Sequence, residues 1–120
     1  MARILVIDDS PFIFKMVNRA LANTSHEVVG HARNGEEGLR MIRELNPDII
    51  TLDITMPVMD GIQTLKSLSE NGIDVKIIMM SAMGDDDLIN EAKKFGVKRF
   101  ISKPFKPDIL VETIDNILKD

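Results

Sequence analysis

Five chemically useful side chains each sit where an apolar run stops. Asp8 and Asp9 follow ILVI, Asp53 follows IITL, Ser81 follows KIIMM, and Lys103 comes just past RFIS. Taken singly they say little: an acidic pair before Ser10-Pro11 is an ordinary helix start, and an aspartate after an apolar run is an ordinary turn residue. Taken together they supply three carboxylates, one hydroxyl and one fixed cation. Three carboxylates gathered at about 5 Å would repel by roughly 3 kcal/mol per pair at an effective dielectric near 20. Such a gathering does not serve stability, so either the acids stay apart or a cation compensates them. Oxygen donors with no histidine or cysteine expected nearby favour a hard ion. A site that keeps several waters beside a phosphate suits Mg²⁺. Lys103 would add a second positive charge, and Ser81 would donate to a phosphoryl oxygen. Asp53 would then be free to attack phosphorus and form an aspartyl phosphate.

These residues converge only if the elements behind them line up. Apolar runs occur at 4–7, 27–32, 48–52, 75–80 and 99–102. At least three are apolar at consecutive positions, which suits strands of a parallel sheet covered on both faces. Between them apolar residues recur at helical spacing: Ile13, Met16, Val17, Ala20 and Leu21; Leu39 and Ile42; Ile62, Leu65 and Leu68; Leu88, Ala92 and Phe95; Leu110, Ile114, Ile117 and Leu118. Ser10-Pro11, Asn34-Gly35 and Pro107-Asp108 open helices, while Asn46-Pro47 and Gly96 close them. Gly84 to Asp87 is a further helix start, its acids facing the positive end of the dipole. In LDITMPVMDG, residues 52–61, Met56-Pro57 and Asp60-Gly61 read as breaks in the chain. The sum is five βα units in an α/β doubly wound sheet, in which sites form outside the carboxyl ends of the strands. Met79 and Met80 read as core, and His26 and His31 lack metal-ligand spacing.

Composition bounds the rest. The chain has 120 residues, 44% hydrophobic and 28% charged, which fits one globular domain over residues 1–120. A net charge of −4 gives no basic surface for nucleic acid. No cysteine is present, which excludes disulfides and thiol chemistry. No signal peptide and no membrane span is visible, so the expectation is a cytoplasmic, monomeric protein with no membrane partner.

Asp8-Asp9, Asp53, Ser81 and Lys103-Pro104, with MPVMDG after Asp53, resemble the receiver domain of two-component response regulators across essentially the whole chain. VIDDSPFIFKM, TLDITMPVMDG and SAMG are similar to chemotaxis regulators of the CheY type, and also to the receiver portion of the chemotaxis methylesterase. The resemblance implies a flavodoxin-like (βα)5 fold with strand order 2-1-3-4-5. It makes Asp53 the phosphoacceptor, fed by a histidine kinase of the chemotaxis type or by a small phosphodonor. It gives Mg²⁺ to Asp9, Asp53 and the backbone carbonyl of Thr55, with Asp8 acting through water. Ser81 and Lys103 would contact the phosphoryl group, Phe100 would be the aromatic switch, and the Lys103-Pro104 bond would be cis.

On the same resemblance, Thr55 and Met83 flank the approach of hydrolytic water, and Met83, being apolar, should not orient it. Phe100 replaces the tyrosine of many relatives and so has no hydroxyl to bury or to offer a partner. The implied function is a phosphorylation-activated signalling switch, not a turnover enzyme. It would expose a helix 4–strand 5–helix 5 surface to a downstream motor switch or adaptor protein in chemotaxis. The alternatives are an isolated receiver of another phosphorelay, the receiver of a methylesterase, and a Mg²⁺-dependent aspartyl phosphatase. The phosphatase usually needs a second acid where Thr55 stands. A flavin or dinucleotide module is disfavoured because DDSPF occupies the place of a glycine-rich loop.

Overall fold

A computed structural model describes residues 1–119. Strand and helix alternate along it: β1 Arg3–Ile7, α1 Pro11–Leu21, β2 Glu27–Ala32, α2 Gly35–Leu45, β3 Ile49–Asp53, α3 Gly61–Glu70, β4 Lys76–Ser81, α4 Asp86–Lys94, β5 Arg99–Ser102 and α5 Pro107–Lys119. All neighbouring strands are parallel, in the order β2-β1-β3-β4-β5. This is the doubly wound, flavodoxin-like arrangement that the resemblance implied. No helix among the described residues is long and apolar enough to cross a membrane.

The consecutive apolar positions follow from the two-residue repeat of a strand buried on both sides. Ile4 and Val6 share one face with Ile49, Ile78, Met80 and Ile101, and α1 and α5 cover it through Ile13, Val17, Leu21, Leu110, Ile114 and Ile117. Leu5 and Ile7 point the other way with Ile50, Leu52 and Met79, under Ile42 of α2, Leu65 and Leu68 of α3, and Ala92 of α4. Each such side chain contributes about 1.5–3 kcal/mol through burial. Two residues assigned to inward faces stay in solvent. Phe95 is 42% exposed because it follows the last turn of α4, where Gly96 at φ +89° turns the chain away. Leu118 is 39% exposed because it stands about 100° around α5 from Ile117, which already fills the inward position.

The helix starts explain much of the loop geometry. Ser10 and Asn34 cap α1 and α2 by accepting from the Ile13 and Glu37 amides. Asp60-Gly61, read from sequence as a break, is instead the start of α3. The Asp60 carboxylate accepts from the Gln63 amide at 2.9 Å, while the Gln63 side chain accepts from the Asp60 amide at 2.9 Å. Two orphan amides are thereby satisfied reciprocally. His26 accepts from the Ala2 amide at Nδ1, so its proton sits on Nε2, which donates to Asp115 of α5 at 2.8 Å.

Candidate functional site

Parallel pairing brings Ile7 of β1 beside Leu52 of β3, and the next residues along the chain are Asp8, just past β1, and Asp53, the last of β3. Asp9 follows in the β1–α1 loop. One carboxylate oxygen from each of Asp8, Asp9 and Asp53 lies within 4.8 Å of the others. Lys103, in the loop after β5, reaches between two of them, its Nζ 2.8 Å from Asp8 Oδ2 and 3.2 Å from Asp53 Oδ1. Its amide donates to the Ser81 carbonyl at 2.7 Å, and its peptide bond to Pro104 is cis.

Asp8 is the most constrained member, with 1% of its surface exposed. Its amide donates to the Ala32 carbonyl at 2.9 Å, and its Oδ1 accepts from the Ser10 amide at 2.9 Å. Its buried Oδ2 faces the Lys103 ammonium and takes no further hydrogen bond among the described residues. Its carbonyl accepts from His31 Nε2 at 2.8 Å. That last contact corrects the expectation that no histidine stands near the acids. The signal lay in the strand order, since β2 flanks β1 and His31 pairs with Val6.

Burial, then the Asp8 charge, pushes the Asp53 carboxyl up from 3.8 to about 6, against the opposing pull of Lys103 and the Thr55 amide. Lys103 moves above its ordinary value. Burial disfavours its charge, but the hydrogen bond to Asp8 and the charges of Asp8 and Asp53 outweigh that cost. The site therefore resists holding two adjacent carboxylates ionised without a further cation.

The β3–α3 loop supports Asp53 from behind. The Thr55 amide donates to Asp53 Oδ1 at 3.4 Å, and the Gly61 amide donates to the Ile54 carbonyl at 2.8 Å. Val58 sits at φ +67°, with the Met59 amide turned back onto the Pro57 carbonyl at 2.7 Å. Gly61 packs so closely that a Cβ would collide with the Asp53 carbonyl and stand 2.8 Å from Ile54 Cα.

The remaining residues singled out from sequence lie around this cluster. Ser81 is buried at the end of β4. Met79 pairs with Phe100 and Ser81 with Ser102, so Ser81 and Phe100 share the α2–α4 side of the sheet on a diagonal. Phe100 is half-buried, with Lys93 Nζ 5.9 Å from its ring centroid. Thr55 is exposed, and Met83 stands wholly in solvent in the loop after β4.

A parallel five-stranded sheet with three acids and a lysine at the carboxyl ends of its strands defines a class, and the comparisons agree. The chain belongs to the response regulator receiver domain family, which matches residues 4–115. Among its relatives is the chemotaxis protein CheY of Thermotoga maritima, 42% identical over 98% of both chains. CheY of Bacillus subtilis is 41% identical over 97% of both. A chain in a solved CheX–CheY–BeF3–Mg²⁺ complex from Borrelia burgdorferi superposes with a TM-score of 0.87 at 32% identity, covering 97% of this chain and 88% of that one.

Proposed function

We propose that this receiver is a phosphorylation-activated switch in chemotaxis signalling, with Asp53 as the phosphoacceptor. One observation carries the reading. A buried aspartate lies within 4.8 Å of two more carboxylates, a lysine bridges two of the three, and the chain is homologous to CheY over nearly its full length. Asp53 Oδ1 carries both the Lys103 and Thr55 contacts, which leaves Oδ2 to attack. A P–O bond forms as the P–N bond of a phosphohistidine, or the P–O bond of a small donor, breaks. Lys103 steadies the charge on the transferred group, and the Ser81 hydroxyl donates to one of its oxygens.

The donor set fits Mg²⁺: all oxygen, net negative, with a buried Asp8 oxygen that faces the Lys103 ammonium and takes no further hydrogen bond among the described residues. Two oxygens on one Mg²⁺ stand at most about 4.2 Å apart. On the family resemblance, Asp9, Asp53 and the Thr55 carbonyl would be the direct ligands and Asp8 would act through water; the three carboxylates, within 4.8 Å of one another, would close slightly onto the ion. Bound there, the ion would neutralise the carboxylates and the incoming phosphoryl oxygens. Thr55 and Met83 border the approach of hydrolytic water, and Met83 offers that water no hydrogen-bonding group.

The phosphodonor is a chemotaxis histidine kinase, the compartment is the cytoplasm, and the phosphorylated form binds a downstream motor or adaptor protein. Incubation with acetyl phosphate and MgCl₂ should add one phosphoryl mass to the intact protein, and Asp53→Ala should abolish it. Equal labelling of both proteins would sink the assignment.

A further inference from the structure

We propose that His31 is a positioning residue for the cation site, fixing the peptide that carries Asp9 by holding the Asp8 carbonyl. The inference rests on the Mg²⁺ reading above and adds to it a residue outside the carboxylate cluster. A carbonyl oxygen can only accept, so in the 2.8 Å contact with Asp8 it is His31 Nε2 that bears the proton. The ring cannot swing freely, because it lies flat on Phe14 of α1, with centroids 4.3 Å apart and planes within 6°.

Asp9 is exposed, whereas Asp8 is buried and pinned at its amide, its Oδ1 and its Oδ2. The Asp8 carbonyl and the Asp9 amide belong to one planar unit. Holding that carbonyl therefore sets the Asp9 nitrogen and Cα, and through them the reach of its carboxylate. Without the His31 donor, the plane between Asp8 and Asp9 can rotate while Asp8 itself stays seated. The Asp9 oxygen would then spend less time near Asp53. Partners of this kind behind a ligand commonly change metal affinity by about 10–100-fold.

The test is calorimetric titration of MgCl₂ into wild type, Asp9→Asn, His31→Phe and His31→Gln, with thermal unfolding of each in the absence of metal. His31→Phe keeps a flat ring on Phe14 and removes the donor. His31→Gln puts an amide N–H where Nε2 was. We expect Asp9→Asn and His31→Phe each to weaken Mg²⁺ binding, the latter by about tenfold. His31→Gln should stay within about threefold of wild type, and the metal-free unfolding midpoints of the two His31 variants should remain close to that of wild type.

Binding unaffected by Asp9→Asn would overturn the cation-site reading and this inference with it. Binding weakened by Asp9→Asn but not by His31→Phe would overturn the inference alone, as would equal weakening by His31→Phe and His31→Gln. A readout in the unaltered protein covers variants that fold poorly. The His31 Nε2 proton should exchange slowly and shift its NMR resonance as MgCl₂ saturates. An unshifted resonance overturns the proposal.

Discussion

Between about pH 4 and 6 the Asp53 carboxyl keeps a proton in the folded chain that it would give up in the unfolded one, because burial and the Asp8 charge push it up to about 6. The folded state therefore binds more protons across that window, and its stability falls as pH rises through it. The contribution is fully present below about 3.8 and gone above about 6. Asp53→Asn removes this dependence. In metal-free buffer it should flatten the difference in unfolding midpoint between pH 4.5 and 7.5. Above pH 6 it should also stabilise the protein by on the order of 1–2 kcal/mol. Because Mg²⁺ favours the ionised carboxylates, adding it should narrow the gap between wild type and variant at pH 7.5. A variant with the wild-type pH slope would show that Asp53 is not the carboxyl responsible.

At the scale of elements, the β3–α3 connection carries the tightest contact under the site. Gly61→Ala places a methyl group against the Asp53 carbonyl and Ile54 Cα, with only backbone to give way. We expect a loss of about 1–3 kcal/mol in denaturant unfolding, together with slower labelling of Asp53 by acetyl phosphate. Unchanged stability would mean that the loop has slack the packing does not suggest. The sequence made most of this level legible. Consecutive apolar residues mark strands covered on both faces, and Ser10, Asn34, Asn46 and Gly96 punctuate helices by plain capping chemistry. Asp60-Gly61 is legible as a break, while the Asp60–Gln63 reciprocal cap that makes it a helix start shows only in the structure. His31 was legible only in part, through the strand order that sets β2 beside β1. Its partner is the Asp8 carbonyl just past the end of β1, and no residue type marks which carbonyl a histidine will meet. The convergence of Asp8, Asp9, Asp53 and Lys103 was readable because each ends a strand or lies just beyond one.

Across the whole molecule, the sheet separates two cores, and the proposed switch runs along one of them. Ser81 and Phe100 lie diagonally on the side covered by α2, α3 and α4, the placement a coupled Ser81–Phe100 switch would need. Phe100 packs against the core on this side and has Lys93 over its ring, and it has no hydroxyl to desolvate. Phe100→Ala should leave phosphorylation at Asp53 intact while erasing the phosphorylation-dependent NMR shifts of α4 and β5. Persistence of those shifts would remove the ring from the pathway.

The seating of Gly61 against Asp53 has a practical corollary for protein engineers. The stretch from 53 to 61 behaves as one cassette: strand end, tight bend and helix cap are fitted to each other. Anyone transplanting this chemistry onto another scaffold should move the segment intact, since copying the aspartate alone would leave behind the backbone that aims it.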